Sequence, residues 1–143
     1  MLQQNKILDG RLFSEVWNQG NIDVIDEIFS EDYVNHTPQP GSPPGRQGLK
    51  QMITAMRSAF PGIQMIPEDV ITEGNKVVTR WTLRGIHKGE GLGFPPTHKP
   101  VQIMGIGIHV YAGGKVVESW TSMDAMGLAQ QLGVIPRPEQ GRS

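Results

Sequence analysis

The hydrophobic spacing of this chain changes once, at Pro61-Gly62, and that change narrows the folds open to it. Before it, "NKILDGRLFSEVWNQG" places Leu8, Leu12 and Val16 at i, i+4 and i+8, with Phe13 and Trp17 beside them. That is one apolar stripe along a helix. "RQGLKQMITAMRSAF" repeats the pattern with Leu49, Met52, Ile53, Met56 and Phe60. From Ile63 onward the period is two. "IQMIPEDVITEG", "KVVTRWTLRGIHKG", "KPVQIMGIGIHVYA" and "KVVESWTSMD" read as four strands rich in Val, Ile, Thr and Trp. Helices first and a meander of long strands afterwards predict an α+β fold, its helices segregated to one face of an antiparallel-rich sheet.

Turn chemistry separates these segments. Gly20-Asn21 stops the first helix, and Asn21 can cap a short second one over "IDVIDEIF". "EDYVNHTP" reads as a short extended piece. The four prolines of "PQPGSPPG" then forbid helix or ladder. "EGNK" and "AGGK" are hairpin turns, whereas "EGLGFPPTH" is a longer loop. The 143 residues make one domain, with a core over about residues 5–133 and a polar tail over 134–143 that is expected to fray.

Charge and composition remove several function classes. The net charge of −1, from 13 basic and 14 acidic residues, argues against a nucleic-acid or anionic-membrane partner. Without cysteine there is no disulfide, thiolate nucleophile or Cys-based zinc site. The start "MLQQNKILDG" lacks the basic end and apolar run of a signal peptide, and no segment approaches membrane-spanning length. The expectation is a soluble, cytoplasmic protein. The four His show no H-x-H, H-x-x-x-H or HExxH spacing, so no metal site is expected.

Strand parity sorts the polar residues. Glu118, Trp120, Ser122 and Asp124 share one face of the last strand, and Val117, Ser119, Thr121 and Met123 the other. On the preceding strand Gly105, Gly107, His109 and Tyr111 lie together, opposite Met104, Ile106, Ile108 and Val110. Glycines inside a strand mark a bend or a close approach to the backbone. Here they hint at a pocket.

"YVNHTP" after two helices, then "AFPG", the run "RWTLRGIHKGE…PPTHKPV" and the ending "GKVVESW…D…QLG", resemble the SnoaL-like polyketide cyclase family of the nuclear transport factor 2-like superfamily. The resemblance covers roughly residues 5–133. It implies a cone-shaped α+β barrel, a strongly curved sheet around a pocket closed by the N-terminal helices. It also implies intramolecular aldol closure of an aromatic polyketide ring without metal or cofactor. The family's essential acid/base, an Asp at the end of the last strand, falls on Asp124. A nearby His falls on His109, and another polar pocket position on His36. Gly107 stands where the cyclases carry a second polar group, which leaves their hydrogen-bonding set incomplete. The epoxide hydrolases of the superfamily need an Asp-Arg-Asp set, and "TRWTL" has no Asp two residues after Arg80.

Each candidate also has a plainer reading. Asp124 can cap "AMGLAQQLG", with Gly133 as that helix's stop, or it can be a desolvated base facing the cavity with Trp120; the roles are compatible. His109 packs in the core, or it hydrogen-bonds Asp124 or polarises a substrate carbonyl. Arg80 and Arg84 share a face, for pairing with Glu118 or holding an anionic substrate, though an exposed charged face is the plainer account and the one favoured. Tyr33, Trp81 and Trp120 read as core and pocket wall suited to a flat apolar ligand. The loop 89–98, with Phe94 at its tip, reads as a connection or a lid, and its flanking His87 and His98 as solvated or lid residues.

The favoured function is therefore a cofactor-independent acid/base enzyme acting on a small hydrophobic carbonyl compound, with Asp124 as base and His109 and His36 as helpers. Two alternatives stand beside it: a non-catalytic ligand-binding or dimerisation module, and a ring-opening hydrolase using the same Asp. A homodimer is expected, because Met104, Ile106, Ile108 and Val110 would otherwise leave a large apolar patch.

Overall fold

The computed structural model describes residues 2–135. Helix α1 (Leu2–Arg11) runs directly into a π-helical segment, Leu12–Trp17. A 3-10 turn (Ile22–Val24), the short α2 (Ile25–Ile28) and β1 (Phe29–Asn35) follow. After the proline-rich loop come α3 (Gly45–Ala59), β2 (Gln64–Glu73), β3 (Lys76–Ile86), β4 (Pro100–Ala112), β5 (Lys115–Met123) and α4 (Ala125–Leu132). The four long strands fall where the period of two placed them.

Two segments differ from the sequence expectation. The first helix is α-helical only to Arg11; its second half widens to i→i+5 bonding and ends with the Asn18 N–H donating to the Phe13 carbonyl at 3.0 Å. Such widened turns are uncommon and gather at functional sites. The "IDVIDEIF" segment stays helical only to Ile28, because Phe29 already turns extended and starts β1.

The sheet order is β1-β5-β4-β3-β2, with β1 parallel to β5 and every other pair antiparallel. It is an open five-stranded sheet of the cone type rather than a closed barrel. Bulges interrupt the ladders near Pro67, near Val110 and along β1. The one near Val110 matters for the site: Val110 pairs with Glu118 but Tyr111 with Val116, so Val117 is an extra residue in β5. Val77, Trp81, Leu83, Val101 and Ile103 bury against Phe13, Val16, Ile53 and Met56 of the helices. The Asn18 side chain holds the end of the π segment to β2, donating to the Met65 carbonyl at 3.0 Å and accepting from its N–H at 2.8 Å.

The outer sheet face is left uncovered. Met104 is 45% and Ile106 43% exposed, whereas Val110, expected in the same stripe, is buried at the bulge. Among the described residues no helix is long and apolar enough to cross a membrane. The tail beyond Ile135, read as polar and frayed, lies outside the described residues.

Candidate active site

A cavity of about 510 Å3 lies between the helices and the inner face of the sheet. Its walls are apolar and aromatic: Phe13, Trp17, Phe29 and Trp81, with Met52, Met56, Met65 and Met123 filling between them. Methionine adapts to irregular shapes, so such a wall accepts flat or bent apolar molecules. The proline-rich loop frames the mouth through Pro38, Pro43 and Pro44. It is packed so tightly on α3 that a Cβ at Gly48 would fall 2.0 Å from the Pro43 carbonyl oxygen.

The two strand glycines have different tasks. A Cβ at Gly105 would stand 2.3 Å from the Trp81 ring, so Gly105 exists to let that indole lie across β4. Gly107 lines the cavity, and a Cβ there would meet nothing closer than Thr121 Oγ1 at 3.2 Å. Its missing side chain lets Thr121 lie close across the β4–β5 ladder.

The polar centre of this cavity is built on Asp9, which the sequence reading did not single out. Asp9 is 2% exposed and is the one carboxylate among the described residues that line the cavity. Its Oδ1 lies 2.6 Å from His109 Nδ1 and accepts from the Tyr111 hydroxyl at 2.7 Å; the Thr79 hydroxyl donates to Oδ2 at 3.4 Å. A carboxylate accepts, so Nδ1 carries the hydrogen that lies between the two groups. Nε2 has no hydrogen-bond partner among the described residues. Burial, then the Asp9 charge, pushes the Tyr111 phenol far above its usual range and keeps it a donor. A sequence signal for Asp9 did exist, since it precedes Phe13 and Trp17 at i+4 and i+8 and so sits within the apolar stripe.

The expected residues divide sharply. His109, Tyr33 and Gly107 line the cavity. Tyr33 is buried, packs edge-on against Phe29 with ring centroids 4.7 Å apart, and shares a 2.5 Å hydrogen bond with Ser119. Burial raises its phenol above the usual range.

Trp120 and His36 lie elsewhere, stacked on each other at 4.4 Å on the outer face, where His36 Nε2 meets Glu118 Oε1 at 3.0 Å. Register explains it. Ser119 faces His109, Thr121 faces Gly107 and Met123 faces Gly105, so the Trp120 face of β5 is the outer one. Arg80 is also outward, ion-paired with Asp69 at 2.7 Å and not with Glu118.

Asp124 is exposed and lies outside the cavity lining, its Oδ1 accepting from the Gly127 N–H at 2.9 Å as the N-cap of α4. No contact with His109 forms. Gly133 ends that helix in the left-handed conformation, as expected.

Phe94 does not line the cavity either; it packs edge-on against His87 at 5.4 Å. The loop around it is docked on the far end of α3, with the Lys88 and Gly89 N–H groups both donating to the Ala59 carbonyl at 3.1 Å. His87 is fully buried rather than solvated, and its Nδ1 accepts from the Thr97 N–H at 3.1 Å. Among the described residues no three His, Asp or Glu side chains converge as a metal site would require.

Comparison with known proteins agrees with this architecture. A protein of Bacillus cereus ATCC 10987 assigned provisionally as a polyketide cyclase is 29% identical, over 92% of this chain and 82% of that one, with a TM-score of 0.81. IdmH of Streptomyces antibioticus, given the same provisional assignment, is 29% identical over 91% of this chain and 99% of its own, with a TM-score of 0.77. AclR of Streptomyces galilaeus, assigned provisionally as a hydroxylase, shares the fold at a TM-score of 0.85 and 24% identity, over 98% of this chain and 87% of that one. No curated protein sequence matches the chain. The family model for SnoaL-like polyketide cyclases matches residues 10–132, and the chain belongs to that family.

Proposed function

We propose that this family member is a cofactor-independent acid/base enzyme that closes or rearranges a small, neutral, apolar carbonyl compound, with His109 moving the proton and Asp9 holding it in place. The observation that carries this reading is the 2.6 Å Asp9–His109 contact at the floor of an apolar cavity. His109 Nε2 takes a proton from the carbon beside a carbonyl, and the electron pair of that C–H bond moves toward the oxygen. The resulting enolate attacks a second carbonyl of the same molecule, and the alkoxide recovers the proton from Nε2. Asp9 stabilises the imidazolium formed in between. This assigns to His109 the role that family resemblance places on Asp124, whose carboxylate is engaged with the Gly127 N–H.

The reading extends to assembly. Met104, Ile106 and the half-exposed Trp120 form an apolar area on the outer sheet face that a second copy of the chain would cover, giving a homodimer.

The test uses 2-tetralone, a flat neutral ketone, and follows deuterium exchange at its α-carbon by NMR. The protein is expected to accelerate exchange above buffer, and His109→Gln to remove at least a hundredfold of that acceleration. A wild-type protein no faster than free imidazole would sink the reading and leave a ligand-binding shell.

A further inference from the structure

A base alone does not complete an enolisation, because negative charge must also settle on an oxygen. Deprotonation sends the proton to one atom and the electron pair to another two bonds away. A site built for this step needs a hydrogen-bond donor close to its base, on the same wall.

Such a donor stands directly opposite His109. Ser119 is the cross-strand partner of His109 in the β4–β5 ladder, and both line the cavity. Facing Cα atoms in such a ladder are about 4.5–5.5 Å apart. Gly107, the next cavity-lining residue along β4, faces Thr121 and adds no side chain beside the pair. A carbonyl seated against this cross-strand pair would meet both His109 and the Ser119 hydroxyl.

The Ser119 hydroxyl is shared with Tyr33 at 2.5 Å, and neither oxygen has another side-chain partner among the described residues. Two hydroxyls carry two hydrogens, and one hydrogen bond uses one of them. The pair always retains an O–H with nothing to donate to. A phenol is the stronger donor of the two, and burial keeps Tyr33 protonated, so the chain runs from Tyr33 to Ser119 and onward into the cavity. Donation by Tyr33 polarises the Ser119 O–H and strengthens it as a donor.

We infer that Ser119, oriented by Tyr33, is the catalytic hydrogen-bond donor that receives the substrate's carbonyl oxygen as it becomes an enolate. This rests on the acid/base reading above. The C–H bond breaks, its electron pair ends on the carbonyl oxygen, the proton ends on His109 Nε2, and Ser119 keeps its own proton while donating to that oxygen. Ser119 touches the reacting group; Tyr33 is a positioning residue.

The test separates oxygen recognition from packing, using 2-naphthol, whose anion imitates a flat enolate, and naphthalene, which lacks the oxygen. Affinities and the ionisation midpoint of bound naphthol are followed by absorbance in wild type, Ser119→Ala and Tyr33→Phe, with His109 intact in all three. Ser119→Ala is expected to lose naphtholate affinity about tenfold or more and to raise the ionisation midpoint, with naphthalene affinity unchanged within about twofold. Tyr33→Phe should shift both readouts the same way by less. Unchanged naphtholate binding in Ser119→Ala, or an equal loss for naphthalene, would overturn the assignment. So would tetralone exchange in Ser119→Ala as fast as in wild type. A protein that holds naphtholate through Ser119 yet never exchanges tetralone would overturn the acid/base reading and, with it, the catalytic role of Ser119, leaving it a ligand-binding donor only.

Discussion

Asp9 Oδ1 lies 2.6 Å from His109 Nδ1, joining the first helix to the later part of β4 across a hundred residues of sequence. The same oxygen accepts from Tyr111, so one buried carboxylate fixes an imidazole and a phenol together. This contact turns a histidine that sequence alone leaves between core and catalyst into one whose Nδ1 is committed to Asp9 and whose Nε2 is unpartnered among the described residues. It also gives the N-terminal helix a task beyond closing the cavity.

Removing the carboxylate tests both consequences. Asp9→Ala leaves the His109 and Tyr111 donors buried without an acceptor, and a loss on the order of 3 kcal/mol in unfolding free energy is expected. Asp9→Asn keeps an acceptor of the same shape and should unfold closer to wild type while its tetralone exchange drops about a hundredfold. Urea denaturation and the exchange assay separate the two. Full exchange in Asp9→Asn would remove Asp9 from the mechanism.

Asp124 offers the opposite pattern. Its carboxylate accepts the Gly127 N–H at 2.9 Å, outside the cavity lining. Asp124→Ala is expected to lower stability by about 1 kcal/mol, and Asp124→Asn, an equally good cap, by a few tenths at most. Exchange should persist in both, measured at a temperature where each is fully folded. Abolished exchange in Asp124→Asn would return the base to the position the family resemblance indicates.

The fold was largely legible because hydrophobic period is a local signal. Four long strands, α3 and the Gly133 stop of α4 all follow from spacing and turn residues. The site was legible only in part, because it depends on register. Parity correctly grouped Gly105, Gly107, His109 and Tyr111, and it separated Trp120 from Ser119. It does not say which face of β5 meets which face of β4. The β4–β5 register fixes that choice: Ser119 faces His109, and Val117 stands as the extra residue of the ladder. Asp9 was readable as a carboxylate inside an apolar stripe, yet its partners are long-range and lie on two other elements. His87 flanks a polar loop in sequence and is buried in three dimensions, because the loop folds back on α3.

The outer face makes its own prediction. Met104, Ile106 and Trp120 are 45%, 43% and 40% exposed on one side of the sheet. Ile106→Lys places a charge at the centre of that area, facing Arg80 on β3 and Ser122 on β5. Sedimentation velocity should show a dimer for wild type and a dissociation constant raised about tenfold or more for the variant, since a buried unpaired charge at an interface core is strongly unfavourable. A wild-type monomer at micromolar concentration would end the dimer proposal.

Alkaline pH reports on the cavity through its phenols. The chain has two tyrosines, and burial raises both above their ordinary value of 10.0 in the folded state. Above pH 10 the unfolded chain releases two protons that the folded chain retains. The unfolded state then binds fewer protons, and unfolding free energy falls as pH rises. Each phenol contributes a slope of about 1.4 kcal/mol per pH unit, starting near pH 10 and continuing until its folded-state value is reached. Well below pH 10 neither contributes a slope, because both states keep the phenols protonated. Tyrosinate absorbance should therefore appear together with loss of the far-ultraviolet circular dichroism signal, in one cooperative step. Tyr33→Phe should remove one of the two slopes and leave the Asp9–Tyr111 contact intact. Gradual tyrosinate formation with the fold unchanged would mean that water reaches the phenols, and that the cavity is wetter than its aromatic walls imply.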